Sequence, residues 1–370
     1  MDGAELYMKR ALDLARRAEG RTRPNPAVGA VAVAEGKVVG EGYHPEAGRP
    51  HAEIFALRAA GERARGTDLY VTLEPCSHQG RTGPCTEAIL AAGVRRVFIG
   101  TLDPNPLVAG RGVARLRESG MEVICGILEK DCRRLIAPFA KHITTGLPYV
   151  ILKSAVTLDG KTATSTSDSQ WITNEASRAY VHQLRDRVDA VMVGIGTVLK
   201  DNPRLTTRLA GGAGRDAMRI VVDSQLRIPS EAHLLHLDST APTLIATTGQ
   251  ACGQRLAPLP EKNVEVLVVA DREGRVDLPD LLRQLGRRGV QSILLEGGAI
   301  LNEAFLQAGL IDRMMVFVAP RIIGGNDGKG IFAGHGVLRL AEAVQLQDVR
   351  IRLFDDDTLI EGEVRPCSPV

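Results

Sequence analysis

The chain has 370 residues, with 46 Lys and Arg against 44 Asp and Glu, so its formal net charge is +2. That length allows two domains, and that balance offers no polyanion-binding surface. Aromatic residues are 4% of the chain, with a single Trp, which argues against base-stacking platforms for single-stranded nucleic acid.

No apolar stretch approaches membrane-spanning length. The start, Met1-Asp2-Gly3-Ala4-Glu5, lacks the basic and apolar regions of a signal peptide. Six cysteines in this length do not read as a disulfide framework. The expectation is a cytoplasmic protein with no membrane or nucleic-acid partner. Cys125, Cys132, Cys252 and Cys367 read as structural or incidental.

In chain order, residues 5–18 suit an amphipathic helix, which Arg23-Pro24-Asn25-Pro26 cannot continue. Ala27 to Ala34 and Lys37 to Tyr43 read as strands turning at Glu35-Gly36. A helical stretch runs from His51 to Arg65, then a strand at 69–73, a cysteine loop, a helix at 85–92 and a strand at 94–101. A helix at 112–119, a strand from Met121 to Ile127 and a charged helix at 128–142 follow. The alternation predicts a layered α/β domain with a largely parallel sheet. Thr144-Thr145-Gly146-Leu147-Pro148 marks the boundary, giving domains 1–146 and 147–370. The second α/β set has strands at 149–156, 188–193, 218–223, 243–247, 264–270, 292–296 and 313–319. Its helices lie near 174–186, 277–287 and 299–308, and two last strands flank Asp355-Asp356-Asp357. The loop at 209–216 reads as a mobile surface segment by composition.

The chemistry of the first half gathers at His51-Ala52-Glu53, Pro75-Cys76 and Pro84-Cys85. One imidazole and two thiolates suit a zinc ion that keeps a fourth position for water. Zinc makes hydroxide accessible near neutral pH, and Glu53 is placed to move protons without binding metal. Nucleobase deaminases share this logic as H-x-E followed by P-C-x-x-C. Here eight residues (77–84) separate the cysteines, where that signature has two. Cys85 opens a helical run, whose dipole favours a thiolate.

In the second half, Val191-Met-Val-Gly194-Ile-Gly196-Thr197-Val-Leu199 is a strand followed by a turn. It has two glycines of a dinucleotide fingerprint, with Leu199 in place of the third. Leu294-Leu-Glu296-Gly297-Gly298 is a strand and a glycine pair before a helix, where backbone amides suit a phosphate. Lys153 lies within a strand, which for a lysine implies an edge or a solvent-facing position. Ser169-Gln-Trp171-Ile-Thr173 places the only tryptophan beside hydroxyls, with a core position as its plain account, and Arg185 and Arg208 read as phosphate forks or solvated cations. Composition and spacing alone give a zinc hydrolase joined to a nucleotide-binding domain.

The motifs resemble a known family. His51-Ala-Glu53, Glu74-Pro-Cys-Ser-His78, Gly80-Arg-Thr-Gly-Pro-Cys85 and Asp103-Pro-Asn105-Pro-Leu-Val-Ala-Gly110 resemble the deaminase half of the bifunctional RibD proteins of riboflavin biosynthesis. Leu158-Asp-Gly-Lys161, Ser169-Gln-Trp-Ile-Thr173, Val193-Gly-Ile-Gly-Thr197, Asp201-Asn-Pro203, Glu296-Gly-Gly298 and Pro320-Arg-Ile-Ile-Gly-Gly325 resemble the reductase half. The long cysteine gap is this family's own spacing.

The resemblance implies a cytidine-deaminase-like N-terminal domain and a dihydrofolate-reductase-like C-terminal domain. It implies hydrolytic deamination of 2,5-diamino-6-ribosylamino-4(3H)-pyrimidinone 5′-phosphate. Reduction of the ribosyl group of the aminouracil product by NADPH follows. His51, Cys76 and Cys85 would bind zinc, with Glu53 as the proton carrier. Asn25, His44, His78, Arg81, Asp103 and Asn105 match substrate-binding stretches, Arg81 standing where the family often has Lys. Ala155, Trp171, Thr173, Thr197, Asp201, Ser224, Gly297 and Gly298 match cofactor positions. Ser169, Arg185, Leu205, Arg208 and Glu296 match substrate positions, and Lys153 would orient or polarise the opened ribose. The partners implied are a phosphorylated pyrimidine and further copies of the chain, as a dimer or tetramer. The alternative is another zinc nucleobase deaminase with a non-catalytic nucleotide-binding second domain.

Overall fold

The computed structural model describes residues 3–78, 83–212, 214–254, 259 and 263–365. The chain divides into two compact units, Met1–Gly146 and Leu147–Val370.

The first unit begins with α1 (Gly3–Arg16), which buries Met8, Ala11, Leu12 and Ala15. Strands β1 (Gly29–Ala34) and β2 (Lys37–Tyr43) then form a hairpin across Glu35 and Gly36. Both turn residues have positive φ, 47° and 72°, which matches a two-residue hairpin turn to the strand twist. The remaining elements are α2 (Ala52–Ala60), β3 (Asp68–Leu73), α3 (Cys85–Ala91), β4 (Arg96–Thr101), α4 (Arg111–Glu118), β5 (Glu122–Cys125), α5 (Glu129–Leu135) and α6 (Ala137–Thr145). The sheet order is β2-β1-β3-β4-β5.

Only β3–β4 and β4–β5 pair in parallel, while β1 is antiparallel to both β2 and β3. The expected largely parallel sheet is therefore half antiparallel, because a two-residue turn can only reverse the chain. The single helix expected at 128–142 is two, α5 and α6. Ile136 leaves the helical region (φ −98°, ψ 9°), and Pro138 has no N–H to continue the ladder.

Hairpin and helices meet backbone to backbone. A methyl group on Gly29 would stand 2.0 Å from the Ala11 carbonyl oxygen of α1. On Gly40 it would stand 2.1 Å from that of Ala56, and on Gly42 2.5 Å from that of Ala52, both in α2.

The second unit contains β6 (Tyr149–Thr157), α7 (Glu175–Arg187), β7 (Ala190–Gly194), α8 (Ile195–Asp201), β8 (Met218–Val222), β9 (Thr243–Thr248) and α9 (Gly249–Gln254). It continues with β10 (Val264–Val269), β11 (Asp271–Arg272), β12 (Arg275–Val276), α10 (Leu278–Arg287), β13 (Ser292–Leu295), α11 (Ala299–Gln307), β14 (Arg313–Ala319), β15 (Leu346–Phe354) and β16 (Asp357–Val364). Nine strands form one sheet in the order β10-β9-β8-β7-β13-β6-β14-β16-β15. Every pair from β10 to β14 is parallel, and the last two pairs are antiparallel.

Local chemistry sets the helix starts. The Asn174 side chain accepts the Ser177 N–H, and that of Asp277 accepts the Asp280 N–H, each capping the helix that follows. Leu278, Leu281, Leu282 and Leu285 of α10 face the core with Leu152, Met192 and Ile293. The segment read as a turn at 194–199 is instead α8, closed by Asn202 at φ 39°. The glycine-rich loop is tied at its base, where Asp216 accepts from Thr207 and Asp186 from Arg215.

Candidate functional site

In the first unit, His51 stands immediately before α2, Cys76 in the loop after β3, and Cys85 at the first residue of α3. Three elements thus deliver three soft or borderline ligands. His51 Nδ1 lies 3.2 Å from Cys85 Sγ and 3.5 Å from Cys76 Sγ. The ligand atoms of all three lie within 4.8 Å of one another. Hydrogen bonds from Cys85 and then His51 outweigh burial and lower the Cys76 thiol's pKa, while its hydrogen-bonded partner Cys85 is raised. This donor set fits a zinc ion, whose thiolate ligands must be deprotonated.

Glu53 lies inside the first turn of α2 and is 3% exposed. Its Oε2 has no hydrogen-bond partner among the described residues. Burial pushes its carboxyl up to about 7, with His51 opposing.

His44 packs edge-on against His51 with ring centroids 5.4 Å apart. Its Nε2 faces the Asn25 amide at 3.1 Å and its Nδ1 the Pro50 carbonyl at 3.1 Å. Burial lowers its pKa. Asn25, a donor, and Pro50, an acceptor, together fit the neutral ring with its proton on Nδ1. Asp103 accepts the Asn105 N–H at 2.8 Å, and its carboxyl is raised, first by burial. His78 is exposed. Arg81 lies outside the described residues.

Glu74 is a structural actor that the sequence offered only as one letter of a motif. Its buried carboxylate accepts the N–H groups of Asp103, Gly110, Gly112 and Val113 at 2.8–3.1 Å. It thereby moors the Asp103–Gly110 segment to the chain two residues before Cys76. A Glu directly before Pro75-Cys76 was the available signal.

In the second unit, Lys153 is not at an edge. It lies on β6, inside the sheet between β13 and β14, with its side chain 18% exposed. A charge tolerates that place because Glu296, the first residue after β13, stands 3.8 Å away. Arg185 of α7 donates to both Glu296 oxygens, at 2.7 and 2.9 Å. Burial opposes the charge on Glu296, but Arg185 and Lys153 outweigh it and hold the carboxyl at about 2. Burial lowers the Lys153 pKa against the pull of Glu296. Arg185 also donates to the Thr206 carbonyl at 3.1 Å, which ties the backbone between the buried Leu205 and the exposed Arg208 to the cluster. Neither Arg185 nor Lys153 is a solvated cation. His182, on the same helix as Arg185, has its Nδ1 3.3 Å from the Arg208 N–H. Its spacing from Arg185 was the signal available for it.

Ala155 shares a face of β6 with Lys153. Gly297 and Gly298 form the turn into α11, and a methyl group on Gly298 would stand 3.6 Å from Thr197 Oγ1. Trp171 is not core. It is 58% exposed and stacks on the Arg178 guanidinium at 4.8 Å, while Thr173 nearby is buried. Ser169 is half-buried in the same connection between β6 and α7. Among the described residues no hydrogen bond ties Ser224 or Asp201 to the Lys153 cluster. Ser224 accepts from Val276 and Thr248, and Asp201 is exposed at the end of α8. Asp159 accepts the N–H groups of Ile323 and Gly324 at 3.2 and 2.8 Å. Two motifs noted separately in the sequence are thus one latch.

Two family models match the chain. One is the cytidine and deoxycytidylate deaminase zinc-binding region, over residues 1–101, and the other the RibD C-terminal domain, over 148–360. The riboflavin biosynthesis protein RibD of Actinobacillus pleuropneumoniae is 43% identical over 96% of this chain and 94% of its own length. That of Escherichia coli is 42% identical over 96% and 98%. The chain belongs to the RibD family. A solved RibD of Acinetobacter baumannii superposes with a TM-score of 0.83 at 37% identity, over 98% of this chain and 99% of that one. A Thermotoga maritima structure gives 0.84 at 37% identity, over 99% of each. It is named a diaminohydroxyphosphoribosylaminopyrimidine deaminase and 5-amino-6-(5-phosphoribosylamino)uracil reductase. The RibD fold is that expected, with a cytidine-deaminase-like first unit and a reductase-like second. No helix of the described residues is long and apolar enough to cross a membrane.

Proposed function

We propose that the chain carries two successive activities of riboflavin biosynthesis. The first unit hydrolyses the exocyclic amine of 2,5-diamino-6-ribosylamino-4(3H)-pyrimidinone 5′-phosphate and releases ammonia. The second reduces the ribosyl group of 5-amino-6-(5-phosphoribosylamino)uracil to ribityl with NADPH. The carrying observation is the buried, half-unpaired Glu53 carboxylate beside the His51–Cys76–Cys85 cluster, in a chain that spans both halves of its RibD relatives.

In the deaminase reading His51, Cys76 and Cys85 hold zinc. When bound, zinc supplies the Lewis acidity that makes water a nucleophile near neutral pH. Glu53 takes the proton of the attacking water and delivers it to the leaving amine, so one carboxylate serves both halves of the exchange. Its pKa of about 7 suits both roles. His44 and Asn25, joined at 3.1 Å, and Asp103 with Asn105 receive the substrate.

In the reductase reading NADPH supplies the hydride, and the bare backbone of Gly297 and Gly298 beside Thr197 fits its phosphates. Ala155, Trp171, Thr173, Asp201 and Ser224 complete the cofactor residues. Lys153, held 3.8 Å from Glu296, orients or polarises the opened ribose so that hydride reaches C1′. Ser169, Arg185, Leu205 and Arg208 complete the substrate side. The reading includes a cytoplasmic homo-oligomer, dimer or tetramer, which light scattering would size.

One coupled assay tests the whole. The diaminopyrimidinone ribosyl phosphate and NADPH are supplied together, and ammonia and NADPH absorbance are followed. Ammonia with NADPH consumption supports both halves. Ammonia alone removes the reductase reading, and neither signal from zinc-replete protein removes the assignment.

A further inference from the structure

His182 stands on α7 three residues before Arg185, so the two side chains leave neighbouring positions on one helix face. Both reach the segment 205–208. Its backbone is held at three successive residues. The Thr206 carbonyl accepts from Arg185 at 3.1 Å. The Thr207 N–H donates to Asp216 at 2.7 Å. The Arg208 N–H donates to His182 Nδ1 at 3.3 Å. Just before them the buried Leu205 sits at φ 54°, in the left-handed region that a branched side chain adopts only when its surroundings impose it.

The contact at Arg208 differs from the other two in that the side chain making it, an imidazole, is neither a guanidinium nor a carboxylate. Burial first, then Arg185 and Arg208, lower the His182 pKa to about 4, against Glu296 and the Thr206 carbonyl. The ring is therefore neutral near pH 7, with a lone pair free to accept. The same influences place His182 in one electrostatic neighbourhood with Arg185, Arg208 and Glu296. A protonated ring at this point would repel both arginines and lose the Arg208 N–H.

We propose that His182 is a positioning residue of the reductase site, whose ring fixes the backbone of Arg208 and so the point at which that guanidinium meets the phosphate of the substrate. This rests on the reductase reading above. It assigns His182 no part in hydride transfer. Loss of the ring loosens the grip on the phosphorylated substrate and spares both the cofactor and the chemical step.

The test compares the full chain with His182→Ala and His182→Asn, the latter keeping an acceptor near the position of Nδ1. NADPH oxidation with the aminouracil ribosyl phosphate gives KM and kcat, and fluorescence titration gives NADPH affinity. His182→Ala should raise KM for the phosphorylated substrate about tenfold, with kcat within about twofold. NADPH affinity should stay unchanged, and His182→Asn should recover most of the loss. An unchanged KM in His182→Ala overturns the proposal. So does a fall in kcat alone, or a loss of NADPH affinity in both variants, which would mark a residue that merely supports the fold. Wild-type chain that binds NADPH yet oxidises none with this substrate would fail the reductase reading itself, and the inference with it.

Discussion

Each unit buries a carboxylate at its site, and the two are treated in opposite ways. Glu53 keeps an oxygen that no described residue reaches, and burial lifts its pKa to about 7. Glu296 is filled on both oxygens by Arg185 and approached by Lys153, and it is held at about 2. A carboxylate left half-paired is ready to take up and release a proton. A carboxylate saturated by cations is a fixed negative charge, and what it does is aim its partners. The difference teaches that burial alone does not mark a proton carrier; the count of donors around the oxygens decides.

Metal removal separates the units most sharply. A strong chelator should abolish ammonia release and leave NADPH oxidation with the aminouracil substrate intact, because among the described residues the His, Cys and carboxylate groups close enough to hold a metal are those of the first unit. Loss of both activities together would break the comparison. Glu53→Gln comes next. It should lower ammonia release by about 10²–10⁴-fold, the usual worth of a positioned acid–base group. Zinc content, read by metal analysis, should not change, since Glu53 is not among the clustered ligands.

Glu296→Gln tests the other side. It leaves Arg185 and Lys153 without their counter-charge, and breaking a buried pair in this way costs about 3–5 kcal/mol. Denaturant unfolding of the second unit should show that loss, with reductase turnover falling and ammonia release kept. The acid response has a definite sign. Glu296 lies at about 2 against an ordinary 4.5, so its stabilisation is whole above that ordinary value and fades as the pH falls towards 2. Circular dichroism across that window would follow it, and Glu296→Gln should flatten the curve. Trp171→Ala is the smallest change. An exposed ring on one guanidinium is worth less than about 1 kcal/mol, so stability should hold while KM for NADPH rises.

Much of the fold was legible because period and punctuation are local. The β1–β2 hairpin, the helix starts near 174 and 277 and the β15–β16 pair follow from neighbours in sequence. The cluster of His51, Cys76 and Cys85 was legible too, since metal chemistry restricts residue type more than spacing. What escaped depends on distant partners. Lys153 read as an edge or solvent-facing lysine because nothing nearby announces Glu296, which meets Arg185 across 111 positions. Trp171 read as core because hydropathy cannot say that a connection between β6 and α7 carries it outward. Glu74 was passed over because its four N–H donors come from residues 103–113, folded back on it. The α5–α6 break was announced by Pro138 alone, inside a run that is otherwise helical in composition.

The backbone contact between the β1–β2 hairpin and its two helices has a consequence for how this chain can vary. Between Gly40 or Gly42 and α2 there is no layer of side chains to absorb a substitution, since even one methyl group would collide with a carbonyl oxygen. An added atom there must push the whole helix, and His51 and Glu53 ride at its first turn. Elsewhere a core can trade volume between neighbours and keep its geometry. Here sequence drift and catalytic spacing are the same variable, so a library randomised at these glycines and selected for ammonia release has almost nowhere to go but back to glycine.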